Sequence, residues 1–207
     1  MPPDNDKTDN IEITVLKPRL SLMRLLLGFG IYFQTPEQIT LNSFLREFLA
    51  LDQDYIDNRI QTMFMDGKPV DDPEKTLIKK DCEIGLSAAM PGVFGAAFRK
   101  QGIYSGLRRQ TGDDEKKPEN DCIKNSPAMV KVKLFNQVAA DIGNRLLKSG
   151  VCMDAGIFSD FWKRNLPVLE KDCCLVVVNQ EDLPPKHLTD ILDLKTKKVR
   201  IRVKTNT

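Results

Sequence analysis

Between Asp66 and Gly92 the chain reads DGKPVDDPEKTLIKKDCEIGLSAAMPG, a run dense in turn and strand signals. Asp66-Gly67 is a dipeptide that readily supplies the positive φ angles of a two-residue hairpin turn. Upstream of it, Arg59 to Met65 (RIQTMFM) alternates as a half-buried strand does. Downstream, Lys68 to Val70 is a short return strand. The polar turn Asp71-Asp72-Pro73 then leads through Leu77 and Ile78 to a further short strand, Cys82 to Ser87.

Working outward, Leu41, Phe44, Leu45, Phe48 and Leu49 recur at i, i+3, i+4, i+7 and i+8, one face of an amphipathic helix. Thr40 or Asn42 is placed to cap its free N–H groups. A strand is expected around Gly30 to Gln34, and Ile11 to Leu16 (IEITVL) has the period-two alternation of another. The order strand, strand, helix, strand, strand, strand is the β-grasp arrangement. The expected class is therefore α+β: an N-terminal ubiquitin-like β-grasp domain over residues 11–92, then a small mixed α/β domain over 128–207.

The wording of this region resembles the closing segment of the ubiquitin-like sulfur carriers, the family of the molybdopterin-synthase small subunit and the thiamine sulfur carrier. Asp66-Gly67 matches the family's turn, Val70-Asp71 and Leu77 its middle, Asp81-Cys82-Glu83-Ile84 the lead into its last strand, and Pro91-Gly92 with Gly95 its end. The resemblance spans roughly residues 11–95. It implies a ubiquitin-like fold. The family works through a free C-terminal Gly-Gly carboxylate, whereas here the matching place reads PGVFGAAF and the chain runs on to Thr207. The fold carries over; the chemistry does so only if the chain is cleaved near Gly92 or Gly95.

Residues 93–109 (VFGAAFRKQGIYSGLRR) mix apolar and basic groups, and Gly95, Gly102 and Gly106 weaken any helix by about 1 kcal/mol each. The segment reads as an irregular arm that packs on a partner. Pro91, Gly92, Phe94, Gly95, Phe98, Arg99, Tyr104 and Arg108 are its candidate partner-binding residues. Residues 110–127 are polar, charged and broken by two prolines, a linker; residues 1–10 read as a disordered tail. The second half opens with a strand at Met129 to Phe135. A helix through Val138, Ile142, Leu146 and Leu147 follows and stops at Ser149-Gly150. A short strand, a second helix capped by Asp154, a strand at Cys173 to Val178, a third helix from Pro184-Pro185 through Leu192 and a last strand at Lys198 to Lys204 complete it.

With 31 Lys and Arg against 29 Asp and Glu, a net charge of +2 excludes bulk attraction to nucleic acid. The most apolar run, Leu20 to Phe33, is interrupted by Arg24, Gly28 and Gly30 and falls short of the ~20 residues of a membrane helix. No secretory signal is read at the start, so five irregularly spaced cysteines are expected to be free thiols in the cytoplasm. Neither paired CxxC-like zinc ligands nor an iron–sulfur run is present, and no Walker or dinucleotide loop occurs. No cofactor or metal is expected.

The single histidine, His187, would need Cys173 or Cys174 as nucleophile to do catalytic work, and a solvated first-turn position is the simpler reading. Cys82 reads as a half-exposed turn residue. Lys198, Arg200, Arg202 and Lys204 share one face of the last strand, as an exposed edge strand protected against aggregation would. The leading expectation is a non-catalytic protein-binding or assembly module with a protein partner and no membrane span. A sulfur-carrier precursor processed at Gly92 or Gly95 is the alternative, and an RNA-binding module using Arg99 and Arg108 a third.

Overall fold

The computed structural model describes residues 8–36, 38–88, 128–188, 190 and 197–206. In chain order the elements are β1 (Asp9–Leu16), α1 (Leu20–Arg24), α2 (Leu26–Phe29), β2 (Ile31–Thr35), α3 (Leu41–Glu47), β3 (Thr62–Met65), β4 (Lys68–Pro69) and β5 (Glu83–Ser87). Then come β6 (Ala128–Phe135), α4 (Asn136–Ser149), β7 (Val151–Asp154), α5 (Ala155–Asp172), β8 (Cys173–Val178), β9 (Glu181–Leu183) and β10 (Lys198–Asn206). The chain mixes helices and strands, and it forms two compact units. The first comprises residues 1–32 with 139–207, the second residues 33–138.

In the second unit the strands run β4-β3-β5-β6. Asp66 and Gly67, at φ 51° and 75°, make the β3–β4 hairpin turn. The Asp66 carboxylate also accepts the Glu83 N–H at 2.8 Å and so seats β5 antiparallel to β3. β6 lies parallel to β5. Alternation buries Met63, Met65, Ile84, Leu86, Val130, Val132 and Leu134. Helix α3 starts where Thr40 Oγ1 accepts the Ser43 N–H at 3.1 Å, and buries Leu41, Phe44 and Leu45.

In the first unit the order is β7-β10-β1-β8-β9, with Tyr32 of β2 paired to Cys152 on β7. Ile11, Ile13, Val15, Val151, Met153, Val176, Val178, Val199, Ile201 and Val203 point to one side and are buried. Helix α5 packs on β1, β7 and β10. Asp154 caps it, its Oδ1 accepting the Ile157 N–H at 3.0 Å. Arg19, just ahead of α1, pairs with Asp172 at the end of α5. Gly143 of α4 lets Leu27 and Arg24 approach where a side chain would collide.

Two expectations change here. A β-grasp over 11–92 needs Ile11 to Leu16 beside the strand at 83–87. Instead β1 lies parallel to β10 over all eight of its residues, from Asp9↔Val199 to Leu16↔Asn206, and antiparallel to β8 on its other side. The division between compact units accordingly does not fall between residues 92 and 128, and β6 joins the second unit rather than opening the last. The physical reason is that alternation marks IEITVL as half-buried without naming its neighbour, and β10 has the same β-branched alternation in phase with it. Asp9 and Asn10, assigned to the tail, belong to β1. The helix expected from Pro184 begins as a 3-10 turn at Pro185–His187, with Ile191 and Leu192 outside the described residues. The arm at 93–109 and the linker at 110–127 also lie outside them.

Candidate functional site

The last strand was expected at a sheet edge, where its row of cations would deter pairing with another chain. Instead, Lys198–Ile201 lie between β1 on one side and β7 on the other, while Arg202–Asn206 pair with β1. Over the stretch between two strands the backbone groups are already paired, so edge protection does not account for the cations there. Val199, Ile201 and Val203 face the core, which sends Lys198, Arg200, Arg202 and Lys204 to the opposite face. Alternate residues on a strand stand about 6.6 Å apart, so the four cations form an evenly spaced line.

The register supplies the line's neighbours. Lys198 stands opposite Asp154 and Arg200 opposite Cys152 on β7, while Asn10, Glu12 and Thr14 of β1 stand opposite Arg200, Arg202 and Lys204. On the far side of β1, Val177 faces Glu12 and Leu175 faces Thr14. The outer cations are occupied: Lys204 pairs with Glu12, and the Lys198 ammonium sits 4.7 Å from the centre of the Tyr32 ring. Arg200 and Arg202 are exposed, and neither has an ion-pair partner among the described residues. They line a shallow cavity of about 300 Å³ with Asn10, Ile11, Glu12, Val177 and Gln180.

The rim of this cavity is held by the β8–β9 turn. Asn179 and Gln180 adopt positive φ of 50° and 77°, the geometry of a tight hairpin. Asn179 donates its backbone N–H to the Asn10 carbonyl at 2.9 Å and accepts the Asn10 N–H on its side chain at 3.0 Å. The Asn10 edge of the depression therefore rests on hydrogen-bonded backbone. Rigid support of this kind is what an interaction surface needs to bind without first ordering itself.

The residues expected to bind a partner, Pro91, Gly92, Phe94, Gly95, Phe98, Arg99, Tyr104 and Arg108, all lie outside the described residues. His187 is exposed, its Nδ1 3.3 Å from Asp190 Oδ2. Cys173 and Cys174 fall on β8 at the point where its register with β1 shifts. Cys82 corrects its expectation: it is 2% exposed, and burial, with Asp66 and Asp81 nearby, pushes its thiol above the ordinary range. That favours the unreactive thiol. Among the described residues no group of three or more His, Cys, Asp or Glu is placed to hold a metal ion, and no helix is long and apolar enough to cross a membrane.

Arg200 and Arg202 were visible in the sequence as part of a basic face; Tyr32, Asn10, Val177 and Gln180 were not. They come from four separate strands and turns, and only strand pairing assembles them. The one available signal was the matched alternation of IEITVL and VRIRV. No protein-family model matches this chain, and no curated protein or solved structure matches it.

Proposed function

We propose that this chain is a non-catalytic protein-binding or assembly module whose partner docks, through anionic groups, on the open β1–β10 face of the first unit. One observation carries the reading: Arg200 and Arg202 stand exposed side by side on β10, with no ion-pair partner among the described residues. Neighbouring cations repel one another, and an anionic partner removes that repulsion on binding. Guanidinium groups are suited to the task because their planar forks take carboxylates or phosphates with two hydrogen bonds each.

The ubiquitin-like part of the reading attaches to the second unit. It is supported by the helix α3, the Asp66-Gly67 hairpin and the strand β5 that follows it, together with the wording of Val70-Asp71 and Asp81 to Ile84. It concerns fold only.

The test is chemical crosslinking of the full-length chain in cell extract, at low and at high salt, with the linked sites read by mass spectrometry. Partner proteins joined at Lys198 and Lys204 are expected, and they should be lost at high salt and in the Arg200→Glu/Arg202→Glu variant. The same partners joined elsewhere on the chain, indifferent to the double change, would overturn the proposal.

A further inference from the structure

We infer that the occupant of this face is an extended protein segment in which acidic and aliphatic residues alternate. The inference rests on the reading that the face is the docking surface, and it specifies what docks there.

Three features of the face lead to it. First, Arg200 and Arg202 are two residues apart on one strand, so their spacing of about 6.6 Å equals that of alternate side chains on any extended chain laid alongside. Second, the face is asymmetric across β1. On the β10 side of Glu12 and Thr14 stand Arg202 and Lys204; on the β8 side stand Val177 and Leu175, the latter 40% exposed. A chain lying over β1 with its pleat on edge sends successive side chains alternately toward β10 and toward β8. Acidic residues then meet Arg200 and Arg202, and aliphatic ones cover Val177 and Leu175.

Third, the floor discriminates against a continuous polyanion. Glu12 lies in the depression between the two flanks, and its carboxylate is held there by Lys204. A phosphodiester backbone would bring charge over Glu12 at every step, whereas an alternating peptide brings charge to one side only. A single-stranded nucleic acid also gains much of its affinity from bases stacked on aromatic rings. The aromatic ring that the described register places on this face, Tyr32, lies beyond Cys152 from Arg200 and already carries Lys198.

The experiment measures fluorescence anisotropy with the full-length chain and three labelled probes. These are a short peptide alternating Glu and Val, a peptide of the same composition with the Glu and Val residues in blocks, and an oligothymidylate of comparable charge. The alternating peptide should bind about tenfold more tightly than either other probe, weaken as salt rises, and lose about tenfold in affinity with Arg200→Gln/Arg202→Gln. Lys148→Gln, on the exposed surface of α4, should change nothing, and an unchanged melting curve followed by Trp162 fluorescence shows that the arginine variant is folded. Equal or tighter binding of the block peptide or the oligonucleotide would overturn the inference, as would indifference to the arginine changes. Should no probe bind while Arg200→Glu/Arg202→Glu still releases the crosslinked partner, the alternating-segment inference fails and the docking face stands. Should crosslinking itself ignore the arginines, both fall.

Discussion

Lys133 on β6 donates a 2.6 Å hydrogen bond to Glu83 on β5, although the residue opposite Glu83 in the parallel ladder is Lys131. Lys131 stays within 3.6 Å of the second carboxylate oxygen, so one glutamate bridges two successive cations of the neighbouring strand. The Lys133 hydrogen bond is the main cause that holds the Glu83 carboxyl below the ordinary glutamate range, opposed by partial burial and reinforced by the charges of both lysines.

A depressed carboxyl contributes stability that is complete above its unfolded-state value and is lost as pH falls through its folded value. Glu83→Gln should therefore destabilise at neutral pH and converge with the parent in acid. The side chain is 43% exposed, which limits the effect to about 0.5–1 kcal/mol. Urea melts of both proteins across the acid range check this; a difference that persists unchanged into acid would remove the ion pair from the account.

Gly143 sits inside α4, where alanine would ordinarily gain about 1 kcal/mol. A Cβ there would lie 2.7 Å from Leu27 Cδ1, and Leu27 is fully buried. Overpacking costs about 1–3 kcal/mol. Gly143→Ala should accordingly lower stability, and Leu27→Ala should cost less in the Gly143→Ala background than alone. A double-mutant cycle reads the coupling directly.

Trp162 is the only tryptophan, fully buried, and its indole N–H donates to the Pro185 carbonyl at 2.9 Å. Its emission should be blue-shifted in the folded chain and move to the red on unfolding. Trp162→Phe removes the donor and opens space, a loss of about 2 kcal/mol in chemical denaturation.

Ser159 on α5 is 4% exposed, and its hydroxyl has no hydrogen-bond partner among the described residues. Ser159→Ala relieves a desolvated hydroxyl and raises helix propensity, so a gain of about 0.5–1 kcal/mol is expected. A raised thermal midpoint confirms it, and a lowered one would show that the hydroxyl has a role in packing.

Elements governed by a few adjacent residues follow the sequence closely. The Asp66-Gly67 turn, the Thr40 and Asp154 caps, the helix that stops before Gly150 and the alternating strands all depend on backbone preferences and hydrogen bonds spanning at most a few positions. Composition likewise excluded a membrane helix without reference to any contact. By contrast, the order of elements along the first half led to an expectation of Ile11 to Leu16 beside the strand at 83–87, whereas its neighbours are β10 and β8.

The sequence alone determined most of the longer strands and helices and which side of them faces a core, because those properties are periodic and local; the short α1, α2 and β9 emerge only in the structure. The tertiary structure alone decided that Ile11 lies beside Ile201, that Lys198–Ile201 lie between β1 and β7, and that Arg200 and Arg202 share a depression with Asn10 and Val177. Period-two alternation is the same for every half-buried strand, so it cannot choose among partners. That choice is made by simultaneous burial of apolar side chains from segments some 190 residues apart in the chain.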